Sequence, residues 1–172
     1  VGANFTIIPL KEAGIEIDIP EPHDQLEANA HEKAMTIFNL THQNCFSEDT
    51  GLEIVALNGA PGVKSARYAG ENSNAQANID LVLSKMADIE NRTAQFRTVI
   101  CLIWENQTYY FEGVCKGQIL SNMQGENGFG YDPIFVPDGA TKSFANMTMD
   151  EKNTFSHRKK AVMQLFDFLE KL

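Results

Sequence analysis

Asn44-Cys45-Phe46-Ser47-Glu48-Asp49-Thr50-Gly51 decides the fold class, because it turns a helical pattern into an extended one that carries two carboxylates. Upstream of it, Leu26, Ala30, Ala34, Ile37 and Phe38 recur at helical spacing, and Asp24 followed by Glu27 resembles a capping box. A helix is therefore predicted over Gln25 to Leu40. Asn44 to Ser47 then returns as a short strand, which places Glu48, Asp49 and Thr50 at its carboxyl end, where open α/β sheets commonly bind ligands.

Further along, Asn58-Gly59-Ala60-Pro61-Gly62 is turn material, and Ile79, Leu83 and Met86 share one side of a helix expected over Asn74 to Met86. Ala94 to Trp104 reads as a strand, Thr108 to Val114 as its hairpin partner, and Lys116 to Leu120 as an extension of that sheet. Gly125 to Gly130 is a loop before a brief strand at Ile134 to Val136. Thr148 and Glu151 form a second capping box that presents Lys152. The last helix begins near Ser156 and turns Ala161, Val162, Leu165, Phe166, Leu169 and Leu172 inward. Toward the amino terminus, Phe5 to Pro9 reads as a strand and Ile15 to Ile19 as a second extended stretch, followed by a loop from Pro20 to Asp24.

Mixed helices and strands over 172 residues indicate one α/β domain with one core. Apolar residues make up 43% and charged residues 22%, which excludes a disordered or fibrous chain. A formal charge of -9 disfavours a nucleic-acid surface, since that relies on basic neutralisation of many phosphates. A small anionic ligand remains compatible with it if a metal and a few local cations offset the field. Cys45, Cys101 and Cys115 are widely spaced and read as buried thiols in a reducing compartment. No apolar stretch reaches the ~18 residues of a membrane span. A cytoplasmic protein with no membrane partner is expected.

Three groups carry the chemistry. Asp49 is the leading metal-ligand candidate, and Glu21 in the preceding loop is the second, because hard Mg²⁺ prefers carboxylate oxygens. Adjacent strand residues point to opposite faces, so Glu48 and Asp49 share an ion only if the strand ends between them. Gly128 and Gly130 permit close backbone approach, Phe129 and Tyr131 can flank a base, and Asp132 can accept a base N–H. Alone, such a segment is more often a structural turn with core aromatics. His157, Arg158, Lys159 and Lys160 crowd the start of a helix, where the dipole disfavours cations but free N–H groups attract an anion. Lys152 adds another positive charge. Thr50 reads as a supporting residue rather than a nucleophile, because nothing nearby specifies an activating base, so direct attack by water is favoured.

Glu48-Asp49-Thr50-Gly51-Leu52-Glu53, Leu57 to Val63, Ser65-Ala66-Arg67-Tyr68-Ala69-Gly70, Gly128-Phe129-Gly130-Tyr131-Asp132-Pro133 and Glu151-Lys152-Asn153 with Ser156-His157-Arg158 occur in this order. In this ordered set the chain resembles the inosine triphosphate pyrophosphatase family of non-standard purine nucleoside triphosphatases, in its bacterial form. The resemblance implies hydrolysis of ITP, dITP and XTP to the nucleoside monophosphate and pyrophosphate with Mg²⁺, which cleanses the nucleotide pool. It implies an elongated α/β fold with a mixed twisted sheet, helices around it, a nucleotide cleft between two lobes, and a homodimer. By the same resemblance Asp49 and Lys152 are catalytic, and Asp49 and Glu21 hold the metal. Thr50, Phe129, Gly130, Tyr131, Asp132, Lys152, His157 and Arg158 bind substrate. The family's opening strand, its Thr-Gly-Asn loop and the following Lys have no counterpart ahead of Phe5, so the single domain over residues 1–172 is expected to be N-terminally incomplete. A Maf-like pyrophosphatase of another base preference, or a non-catalytic nucleotide-binding remnant, are the competing readings.

Overall fold

A computed structural model describes residues 5–172. The expected helix forms as α1, Leu26–Thr41, and buries Leu26, Ala30, Ala34 and Ile37. Its start departs from the predicted capping box: Gln25 occupies the N-cap without a side-chain bond. Glu27 instead pairs with Arg97 at 2.5 Å, since a charge-assisted bond outweighs a neutral cap.

The strand that follows is longer than expected. β1 runs Cys45–Ile54 and pairs antiparallel with β2, Thr93–Trp104, from Cys45 opposite Ile103 to Ile54 opposite Ala94. That ladder satisfies the backbone of the acidic residues as well as the apolar ones, so Glu48, Asp49 and Thr50 lie in mid-strand and not at its carboxyl end. β3, Gln107–Ile119, completes the expected hairpin and absorbs the Lys116 segment. Glu105 and Asn106 both take positive φ, 49° and 63°, as a two-residue turn matched to strand twist requires. β4, Phe135–Pro137, pairs with β3, giving the order β1-β2-β3-β4, with every pairing among the described residues antiparallel.

Alternation along the strands assigns the two faces. Odd-numbered residues of β1 and β2 meet α1: Val99, Cys101 and Ile103 pack with Leu26, Ala30 and Ala34, and the Ser47 hydroxyl donates to the Ala30 carbonyl at 2.5 Å. Even-numbered residues face two other groups. Ile100 and Leu102 pack under α4, His157–Leu169, with Ala161, Leu165 and Leu169. Leu52, Ile54, Ala94 and Phe96 pack under α2, Ala75–Lys85, with Ile79 and Val82. This is the α/β arrangement expected, a sheet flanked by helices on both faces.

Local caps fall where the helices start. Asn74 accepts from the Ala77 amide, Thr148 and Glu151 form the predicted reciprocal box of α3, Met149–Phe155, and Ser156 accepts from Lys159. Three other expectations fail. Phe5 to Pro9 and Ile15 to Ile19 form no strand, because the chain turns over Leu10 to Gly14 between them and finds no strand partner among the described residues. Phe5 stands edge-on to Trp104 instead. Leu172 lies beyond the last turn of α4 and is 61% exposed, so the inward stripe ends at Leu169.

Candidate functional site

The even face of the sheet leaves a gap between the α2 side and the amino-terminal end of α4. There a cavity of about 580 Å³ is lined by Thr50, Phe129, Asp132, Lys152, His157 and Arg158 among others. Gly130 and Tyr131 line it too, so all eight residues expected at the substrate site meet in one place.

Lys152 organises one wall. Its Nζ lies 2.5 Å from Asp132 Oδ2 and 4.4 Å from the centre of the Phe129 ring, and the same Oδ2 accepts the Phe129 amide at 3.0 Å. Gly128 allows this: it takes φ +81°, and a Cβ there would collide with the Asp132 carboxylate. Asp132 is buried, while Phe129 is 69% exposed and lines the cavity. Tyr131 is not a second open ring. It is buried, its hydroxyl donates to the Ser65 carbonyl at 2.6 Å, and burial pushes its pKa up. It acts as a strut between the Phe129 loop and the opposite wall.

His157 forms the other wall. Its ring stacks on Phe96 at 5.0 Å and 13°, and Nδ1 is buried with no hydrogen-bond partner. Burial, reinforced by the charges of Arg158, Lys152 and Lys160, pushes its pKa down to about 4, so the imidazole is neutral near pH 7. The helix end comes this close because β3 carries Gly113 beneath it, where a Cβ would collide with the His157 carbonyl. Arg158 pairs with Glu48 at 2.9 Å. The Thr50 and Thr98 hydroxyls lie 2.7 Å apart on the same face.

Asp49 and Glu21 are brought together elsewhere, on the odd face of β1. Lys33 of α1 joins them, its Nζ 2.5 Å from Glu21 and 3.0 Å from Asp49. Lys33 is the residue that sequence reading missed. The available signal was a lysine set between Ala30 and Ala34 on the sheet-facing side of α1. Burial opposes its charge, but the hydrogen bond that Lys33 donates to Glu21 and the charge of Asp49 outweigh that and raise its pKa. Burial raises the Asp49 carboxyl, and Lys33 and the Asn29 amide pull it back only in part.

Asp49 Oδ2 is buried without a partner. No group of three or more His, Cys, Asp and Glu residues among the described residues suits a metal. Two carboxylates with an orphaned oxygen nevertheless fit a hard divalent ion that keeps its waters and takes further oxygens from a phosphate chain. Glu48 points to the opposite face and takes no part.

The same architecture recurs in solved structures. The Staphylococcus aureus Ham1 protein superposes with a TM-score of 0.93 at 37% identity, over 99% of this chain and 89% of that one. A dITP/XTP pyrophosphatase from Mycobacterium abscessus superposes with a TM-score of 0.81 at 38% identity, over 92% of this chain and 85% of that one. In sequence, the dITP/XTP pyrophosphatase of Flavobacterium johnsoniae is 48% identical over 166 residues, which is 96% of this chain and 86% of the relative. That of Porphyromonas gingivalis is 49% identical over 164 residues, 95% of this chain and 84% of the relative. With the Ham1 family model matching residues 2–168 as well, the chain belongs to the Ham1 family.

Proposed function

We propose that the protein hydrolyses non-standard purine nucleoside triphosphates, dITP, ITP and XTP, to the nucleoside monophosphate and pyrophosphate. One observation carries the reading: a cavity with an exposed Phe129 ring, a neutral His157 and a buried Lys152–Asp132 pair adjoins, across a single strand, the Glu21–Lys33–Asp49 group. The dITP/XTP pyrophosphatases at nearly half identity support it.

The base stacks on Phe129, and the cations Lys152 and Arg158 favour a 6-oxo edge, because they donate to its oxygen and have nothing to accept from a 6-amino group. Thr50 places a hydroxyl one residue from Asp49, so a nucleotide seated in the cavity carries its phosphates past the β1 edge. Asp49 positions and deprotonates the water that attacks the α phosphorus. Asp49 and Glu21 would hold Mg²⁺, which would supply charge screening of the triphosphate. Lys152 and Lys33 reduce the repulsion that the polyanion meets in a chain of net charge -9. A homodimer and a cytoplasmic place belong to the same reading. The three cysteines are unpaired, as a reducing compartment would keep them. No described helix is long and apolar enough to cross a membrane.

The test is product release from dITP, ITP and XTP beside dATP and dGTP, with Mg²⁺ and with chelator, with light scattering for the dimer. Pyrophosphate from the first three, lost on chelation, is the expected outcome. Orthophosphate as product, or equal rates on dATP and dGTP, would refute the reading.

A further inference from the structure

Glu21 belongs to no helix or strand, yet its carboxylate must reach the Lys33 ammonium on α1. Two residues on, the same loop is clamped to that helix. Asn29 is fully buried, and both ends of its amide engage one residue of the loop. Oδ1 accepts the His23 amide at 3.0 Å, and Nδ2 donates to the His23 carbonyl at 3.1 Å. A side chain that pairs with both backbone groups of one residue mimics a rung of a β ladder and leaves that residue little freedom. The His23 ring adds a looser tie to Glu32 at 3.5 Å. Asn29 and Lys33 stand four apart on α1, and so project from the same side of the helix.

We infer that Asn29 is a positioning residue for the Glu21–Lys33–Asp49 group: by pinning His23 it fixes the loop so that Glu21 faces Lys33. Through that loop it sets the affinity of the two carboxylates for a divalent ion. The inference rests on the metal role given to Glu21 and Asp49 under Proposed function. Nothing in local sequence demands an amide at this point in the helix. An apolar residue would suit the stripe of Leu26, Ala30 and Ala34, whereas a fully buried amide is kept only where both its ends are satisfied.

The experiment is a double-mutant cycle on the full chain, Asn29→Ala, Glu21→Gln and both together. It is read as Mn²⁺ affinity by electron paramagnetic resonance without substrate, and as the Mg²⁺ concentration giving half-maximal pyrophosphate release from dITP. Asn29→Ala is expected to weaken both readouts about tenfold in the wild-type background, the usual loss when a residue supporting a metal ligand is removed, and less than about twofold beside Glu21→Gln. Asn29→Leu, which keeps the volume, should behave alike. Equal losses in both backgrounds would mean that Asn29 acts only on general stability, and would overturn the inference. So would a His23 amide in the unaltered protein that exchanges hydrogen at the rate of a free loop, a measurement that needs no variant to fold. A coupled Mn²⁺ cycle with no pyrophosphate release would uphold the clamp and refute the proposed reaction. Pyrophosphate release with an uncoupled Mn²⁺ cycle would do the reverse.

Discussion

Asp49 and Thr50 are neighbours in sequence and face opposite sides of the sheet: Asp49 meets Lys33 of α1 at 3.0 Å, and Thr50, which lines the cavity, meets Thr98 at 2.7 Å. One peptide unit of β1 thus connects the carboxylate group with the cavity. The division of labour makes the two residues separable by mutation.

Asp49→Asn should lower kcat for dITP by about 10²–10⁴-fold, the range for loss of a positioned base, while the pocket still binds the product nucleotide. Thr50→Val, which keeps the shape and deletes one hydroxyl, should cost about tenfold in kcat/KM, the worth of roughly one hydrogen bond. Steady-state kinetics beside calorimetric titration with dIMP checks both. Equal effects on binding would show that the two faces do not divide the work.

Lys152→Met removes the cation from a carboxylate that is almost fully buried, with Asp132 only 5% exposed at its side chain. Stranding that charge should destabilise the fold by about 3 kcal/mol, and should also raise KM for dITP, because the Phe129 loop loses its anchor. The pair Lys152→Met with Asp132→Asn should recover most of the stability but not the KM. Urea unfolding and kinetics on the same samples decide it.

His157 gives the protein an acid-sensitive margin. Its pKa is about 4 folded against 6.5 for an ordinary histidine, so the unfolded chain takes up a proton more readily. The stability it contributes is complete above pH 6.5 and is lost as pH falls toward 4, by about 3 kcal/mol in all. His157→Gln should flatten the pH dependence of Tm across that window relative to wild type. A parallel fall in both proteins would refute the assignment.

Arg97 is held by Glu27 at 2.5 Å, Glu53 at 3.0 Å and Glu112 at 3.1 Å, so it ties α1 to β1 and β3. Arg97→Met should cost about 2 kcal/mol, less than a fully buried pair would, because Glu27 and Glu112 keep access to water. Arg97 holds the Glu27 carboxyl below its ordinary 4.5, so wild type carries stability above that pH that it loses on acidification. The variant should lose the low-pH part of that slope in denaturant titrations.

Much of the secondary structure was legible because it is written in short-range terms. The stripe of Leu26, Ala30, Ala34 and Ile37, the Thr148–Glu151 box and the hairpin that follows Ala94 to Trp104 each depend on residues within one turn or one hairpin. The errors arose where a distant partner intervened. Glu27 left its expected cap for Arg97, 70 residues on, and β1 ran past its acids because β2 pairs with all ten of its residues.

The sequence by itself determined the helices, the hairpin, the family resemblance and, through it, eight of the residues that line the cavity, because propensity, periodicity and ordered motifs are local properties of the chain. Tertiary structure alone decided that Tyr131 is a strut to Ser65, that His157 is neutral against Phe96, that Glu48 belongs to Arg158, and that Lys33 and Asn29 complete the group around Glu21 and Asp49. Each of these depends on which side of a strand or helix a residue faces and on how far water is excluded there, and neither exists until the sheet and its helices have packed.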